Sequence, residues 1–463
     1  MRFITQLTVS IVFIICFFAV IPAYSQGNEP KARQYEEDIL PMRQRVRVMQ
    51  SWWKKKREVV LPQVMREQGV DMWIVRNDEA DKYYNNEGPI YTSMIPANDE
   101  GMTLPSEHVG PRDQETPRFI LFHDDGEIVH YMEPRDYEQI AQLVTQIDPN
   151  RIAIGTHNNE KMVEAIGEEY ARRTIDSWTL GVRWLETALP EQISTYRSVQ
   201  RLANDIIAEG FSNTAIKPGV TTTEDLNWWF RQKMLDLDIE YENHPSIRVQ
   251  RKPANIAKYA DDAAAFSHGE VGNGISVVIQ RGDIISIDAD IFMLGLVTDS
   301  HQHAYVLEDG ETDVPADLKS AIRVVNVMQD KFAAEFVPGR TGKEIVAAAN
   351  RIPRIDGVVE SSLGFHPPPM FIRRYLQGGY MFSHKTYVAG MTSGPGYYPT
   401  SIVSNDHKLY VNTLYAFEPH TRVAVMGWPE QGVELGMGQI VVMREDGLEY
   451  LGRSQQSEWH VIK

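Results

Sequence analysis

Gly282-Asp283-Ile284-Ile285-Ser286-Ile287-Asp288-Ala289-Asp290 is followed closely by Thr298-Asp299-Ser300-His301-Gln302-His303. Asp288 ends an apolar run of β type. Asp299 stands eleven residues later in a second run, beyond a turn built around Gly295. Two strands joined by such a turn bring the two carboxylates side by side, and paired hard oxygen donors serve divalent metals. Alternate side chains of a strand share a face. Asp288 and Asp290 therefore fall on one face, and so do Asp299, His301 and His303. Ile284, Ile285, Ile287, Ile291, Phe292, Leu294 and Val297 read as buried, and carboxylates set among buried residues need partners. An exposed acidic hairpin is the plainer reading of this stretch, and it does not call for five ligand-type groups on one patch.

The surrounding chain has ordinary globular composition, 43% hydrophobic and 24% charged over 463 residues, a length that suggests two or three domains. A formal net charge of −17 argues against a nucleic-acid partner, which needs a basic face. Residues 1–25 read as a signal peptide. Arg2 supplies the basic start, Leu7 to Ile21 the apolar run, and Ala23-Tyr24-Ser25 the small residues of a cleavage site. Cys16, the only cysteine, lies inside this leader. The mature chain is then expected to be free of disulfides and thiolate ligands, periplasmic or secreted, and without a membrane anchor once the leader is removed.

Residues 33–185 alternate helical and strand patterns. Arg43 to Gly69 predicts an amphipathic helix, whose Lys54-Lys55-Lys56-Arg57 run reads as a solvated face. Asp71 to Val75 and Arg151 to Gly155 predict strands. Arg118 to Phe122 and Ile128 to Met132 predict a hairpin around Asp124-Asp125-Gly126. Residues 186–463 carry an internal echo. Lys217-Pro218-Gly219-Val220-Thr221-Thr222-Thr223-Glu224-Asp225 and Val337-Pro338-Gly339-Arg340-Thr341-Gly342-Lys343-Glu344 each place a Pro-Gly turn before a Thr cap and an acidic first turn. Two such helix starts, 120 residues apart, suggest two related halves.

The Pro-Gly helix starts, His244-Pro245-Ser246-Ile247, His268, the Gly282 to Asp288 strand, Asp299, Ala416-Phe417-Glu418-Pro419 and the closing hairpin Ile440 to Gly447 together resemble the pita-bread peptidases. That group (family M24) includes aminopeptidase P, prolidase, methionine aminopeptidase and the metal-free relative creatinase. The resemblance implies an α+β pita-bread catalytic domain with pseudo-twofold related halves over 186–463. A smaller α/β creatinase-type N-terminal domain would precede it over 33–185.

It also implies a metal-dependent hydrolase of peptides, acting at Xaa-Pro bonds, with Mn, Co or Zn held as one or two ions, and a homodimer. The family's two aspartates map to Asp288 and Asp299 and its first glutamate to Glu418, which would also shuttle protons. Its metal histidine maps to His366 when counted from Pro338-Gly339, and to His384 when counted back from Glu418; both remain open as pocket residues. His268 matches the substrate-side histidine, twenty residues before Asp288.

Other positions depart from the pattern. The final glutamate falls on Gly438 when the last hairpin is aligned without a gap, with Glu434 four residues earlier as the alternative. His301-Gln302 replaces the family's Thr-Arg, and Asp290 replaces a Gly. Recruitment of His301 or His303 as a ligand would then compensate, and restoring the acid with Gly438→Glu would raise metal affinity. Two further readings follow from the departures: a metal-independent creatinase-like C–N hydrolase acting on a small amide, with His268 as its base, and an inactive binding protein.

Overall fold

The computed structural model describes residues 39–76, 119–155, 159–241, 245–259, 266, 270–271, 274–353, 355–366, 408–429, 432–452 and 455–463. The first described segment is the expected helix, Met42–Glu67. It lies on a five-stranded sheet ordered Val129–Met132, Phe119–Asp124, Met72–Arg76, Ile152–Ile154, Thr174–Asp176. Period-two alternation assigns its faces. Trp73, Val75, Ile120 and Phe122 pack toward Val60, Leu61 and Val64 of the helix. Met72, Ile74, Phe119 and Leu121 pack on the other side toward Ile140, Val144, Met162 and Ile166, which belong to the helices Tyr137–Ile147 and Glu160–Ala171.

Lys54 and Lys55 are exposed, as expected of a solvated face, but Lys56 and Arg57 of the same run depart from it. Lys56 is 6% exposed, with its ammonium over the Trp184 ring. Lys55 pairs with Glu191, and Arg57 stacks on Trp53 and Tyr131. The helix turns Lys56 and Arg57 toward neighbouring aromatic rings, where their aliphatic stems cover apolar surface.

The remaining residues build an α+β pita-bread fold with related halves. The two Pro-Gly turns are superimposable in their hydrogen bonding. Gly219 N donates to Ile279 O and Gly339 N to Leu409 O, both at 2.8 Å. Both glycines have positive φ, 77° and 88°, a conformation that costs a side-chain-bearing residue steric strain. Isolated bridges then join Thr222 to Val278 and Thr341 to Lys408. Each Thr caps its helix reciprocally: Thr222 with Asp225, Thr341 with Glu344. The first box thus uses Asp225 as its acid. Thr222→Ala should destabilise the chain by about 1 kcal/mol, the usual worth of such a cap. Urea denaturation would read this as a lower midpoint at unchanged slope.

One half carries the sheet ordered His460–Ile462, Ser300–Val306, Ile284–Ala289, Ser246–Gln250, Glu270–Val271. The other carries Val358–His366, Leu414–Val423, Gln439–Arg444 and Gly447–Tyr450, with Val433–Gly436 also paired to Leu414–Val423. A buried ion pair anchors the entry to the decisive strand. Arg251 grips Asp283 with both arms at 2.7 and 2.8 Å, and both side chains are fully buried. Gly282 before it has φ 85°, and a Cβ there would meet Asn255 Nδ2 at 2.4 Å. Among the described residues no helix is long and apolar enough to cross a membrane.

Candidate metal centre

Ile284–Ala289 and Ser300–Val306 pair antiparallel, with Asp288 opposite His301 and Ser286 opposite His303. Beyond a break at 290 and 298–299, the chain pairs again in the same register, Phe292 with Val297 and Met293 with Leu296, up to a tight turn where Leu294 (φ 57°) and Gly295 (φ 74°) are left-handed. The hairpin read from the sequence is therefore present with its turn at Gly295. Directly opposed residues on one face lie close enough to interact. His301 Nε2 stands 3.3 Å from Asp288 Oδ1 and 3.3 Å from Asp299 Oδ1. One ligand atom from each of these three residues lies within 4.8 Å of the others.

Asp299 and His301 are largely buried, while the Asp288 side chain remains 46% exposed, so the cluster opens to solvent on one side. Burial opposes charge on His301, but the adjoining Asp288 and Asp299 carboxylates prevail and hold its pKa well above the ordinary imidazole value. At Asp290 burial and the charges of Asp299 and Asp288 act in the same direction, and the carboxyl pKa is raised well above its usual range.

His303 does not join the cluster, which corrects the expectation that it is an available ligand. Its Nδ1 lies 2.8 Å from Ser286 Oγ and its Nε2 2.7 Å from Gly436 O. Since a carbonyl only accepts, Nε2 carries the proton, and the serine hydroxyl is left to donate to Nδ1. Burial depresses the ring's pKa to about 3, so it is neutral at physiological pH. Its role is to tie Ser300–Val306 to the neighbouring sheet.

Glu418 approaches from the other half, buried at 8% exposure on Leu414–Val423 and opposite Gly364. The strands flanking it break at Met437 and Gly438. Val433–Gly436 pairs with residues 420–423 of its strand, and Gln439 resumes opposite Phe417. His301 N donates to Gly438 O at 3.0 Å across this break, which joins the two halves beside the acidic cluster.

Gly438 explains the altered site in steric terms. A Cβ there would lie 2.6 Å from His301 Cγ and 2.8 Å from Cδ2 and Nδ1. A Cβ on Gly436 would meet His420 at 2.6 Å. The His301 and His420 rings, with centroids 5.6 Å apart, fill the space that side chains at 436 and 438 would need. The expectation that Gly438→Glu would raise metal affinity is thereby revised, because the new side chain cannot enter while His301 stays. Gly438→Glu should instead cost about 1–3 kcal/mol through overpacking. Adding His301→Ala should recover part of that loss. Strict additivity of the two changes in a denaturation cycle would show that the ring is not the obstacle.

Glu434 does not reach the aspartates. It pairs with Arg422, directly opposite in the ladder, and lies 3.6 Å from both His420 Nδ1 and Arg248. His420, with Arg422 and Arg248, holds its pKa down to about 2 against the opposing effect of burial. His420, Glu434 and Arg248 join Asp288 and His301 in lining one small cleft of about 60 Å³. His420 was not singled out from the sequence, although it stands two residues beyond Glu418 on the same strand. His268 and His384 lie outside the described residues. His366 closes the strand Val358–His366 with its main chain opposite Ala416, and its side chain also lies outside the description. Both mappings of the metal histidine therefore remain open.

The two-halved α+β fold thus carries an Asp–Asp–His cluster where its halves meet. Residues 195–443 match Metallopeptidase family M24, and the chain belongs to that family. Among solved structures it is similar to an X-Pro aminopeptidase from Thermotoga maritima, at 16% identity and TM-score 0.49, over 86% of this chain and 99% of that one. The prolidase from Pyrococcus furiosus matches at 12% identity and TM-score 0.46, over 85% and 99% of the two chains. A single-residue variant of Escherichia coli aminopeptidase P matches at 10% identity and TM-score 0.49, over 87% and 94%. Among curated proteins none matches.

Proposed function

We propose that this chain is an exported peptidase that uses a divalent ion held by Asp288, Asp299, His301 and Glu418 to cleave peptides at Xaa-Pro bonds. The observation that carries the reading is the convergence of Asp288, Asp299 and His301 within 4.8 Å, inside the span that matches the peptidase family. The donor set fits, since carboxylate oxygens with one imidazole suit Mn²⁺, Co²⁺ or Zn²⁺. The Xaa-Pro preference is taken from the resemblance to aminopeptidase P and prolidase, in keeping with the X-Pro aminopeptidase and Xaa-Pro dipeptidase among the similar solved structures.

An ion bound there would supply Lewis acidity toward the scissile carbonyl and an attacking water. The chain's own residues perform the remaining work. Asp288 and Asp299 fix position from one hairpin. His301 bridges them and fills the volume beside Gly438. Glu418, buried on a strand of the other half, is the carboxylate we assign to hold a proton during bond cleavage. His303, with its ring nitrogens engaged by Ser286 Oγ and Gly436 O, keeps the hairpin docked.

Metal content of protein purified without chelator, paired with an Xaa-Pro peptide assay, tests the proposal. Bound metal with turnover supports it. Turnover by protein shown to be metal-free would point to creatinase-type chemistry, and metal without turnover of any peptide to a binding role. The proposal also takes residues 1–25 as a leader removed on export, and the two domains as dividing near residue 185. Intact mass of exported material should therefore show a chain lacking its first 25 residues, and a mass starting at Met1 would refute the leader.

A further inference from the structure

We infer that Asp290 is itself a metal-holding residue, supplying the carboxylate that Gly438 leaves missing. This rests on the metal reading above. The ladder register decides the matter. Ala289 faces Ser300, and Phe292 faces Val297. Between these pairs Thr298 is pinned to Ile291 twice: its N donates to Ile291 O at 3.0 Å, and its Oγ1 accepts from Ile291 N at 3.1 Å. Asp290 lies between these two paired stretches, whose common register sets it toward Asp299, one step along from the Asp288–His301 pair. Asp288, Asp299 and His301 gather one ligand atom each within 4.8 Å, and Asp290 stands beside that group, near enough to feel the charges of Asp299 and Asp288.

Like charges directly opposed across a ladder are destabilising. Asp290 Oδ1 is nevertheless buried, with no hydrogen-bond partner among the described residues. A buried carboxylate oxygen left unmatched costs free energy. The hydrogen bonds at Ile291 and Thr298 prevent the backbone from swinging it out to solvent. A divalent cation shared with Asp299 satisfies that oxygen and removes the repulsion together. The glutamate carboxylate absent from position 438 is then replaced on the hairpin itself, two residues beyond Asp288, and His301 takes the vacated space.

The test is Co²⁺ binding to metal-stripped full chain, wild type against Asp290→Asn, followed by calorimetry and by the rise in melting temperature on loading. Asparagine keeps the shape and removes the charge. The expected result is Co²⁺ affinity lowered about 10- to 100-fold, the range seen when groups supporting a metal site are lost. Equal Co²⁺ affinity in the two proteins overturns the inference and leaves the metal reading intact. Failure of wild type to take up Co²⁺, Mn²⁺ or Zn²⁺ overturns both. If Asp290→Asn does not fold, Asp290→Ser is read by the same criteria.

Discussion

Asp299→Asn is expected to lower kcat/KM on an Xaa-Pro peptide by at least about 100-fold, the upper end of the loss produced by removing a group that merely supports a metal ligand. Asp299 is more central than such a group. It is 7% exposed, its Oδ1 lies 3.3 Å from His301 Nε2, and it shares a 4.8 Å cluster with Asp288. Asparagine retains the volume and one acceptor oxygen, so the fold should persist while the charge is lost. Metal stoichiometry should fall together with activity. Two controls separate function from stability: a melting temperature close to wild type, and full activity in Thr222→Ala, whose cap is remote from the cluster. If the asparagine variant keeps its metal and turns over normally, the catalytic assignment of this hairpin is wrong.

The hairpin was legible because its determinants are local. Alternation from Ile284 to Ala289, a glycine able to take φ 74° at position 295, and a resumed run from Ser300 to Val306 set the register together. The paired helix starts were legible for the same reason. Pro-Gly, Thr cap and acidic residue all fall within a few positions, and the chain obeys them twice.

The relations that alter the site are of another kind. His301 fills the space beside Gly438, 137 residues away, and His420 does the same beside Gly436 across a strand pair. Neither contact has a local sequence pattern. The resemblance places the family's final glutamate at Gly438 and suggests that restoring the acid would help. The side-chain volumes show that His301 occupies the space an acid at that position would need. His303 illustrates the converse. It has the residue type and the face of a ligand, yet Ser286 and Gly436 already use both of its nitrogens.

Lys56→Met should stabilise the protein below about pH 7 and flatten its rise in stability toward alkaline pH. Lys56 lies on the long first helix among basic neighbours, a setting that reads as solvated. In the fold its Nζ sits 4.9 Å from the Trp184 ring centre and 3.3 Å from Leu185 O, the single hydrogen bond it donates among the described residues. Burial lowers its pKa from 10.5 to about 7, with Glu186 offsetting part of the shift.

The direction of the pH effect follows from proton counts. Below about 7 the amine is charged in both folded and unfolded chains, and the folded state bears the full cost of an enclosed charge. Between about 7 and 10.5 the unfolded chain holds a proton that the folded chain has released, so stability climbs with pH. The slope from this residue is at most about 1.4 kcal/mol per pH unit. Methionine keeps the length of the stem against Trp184 and carries no charge in either state, so that contribution disappears. Urea denaturation of both proteins at pH 6 and pH 9 isolates it, because every other titrating group is common to the two. The variant should be the more stable at pH 6, with the gap narrowing by pH 9. A constant difference across that range would mean that Lys56 keeps its charge in the fold, held there by Glu186 and the Trp184 face.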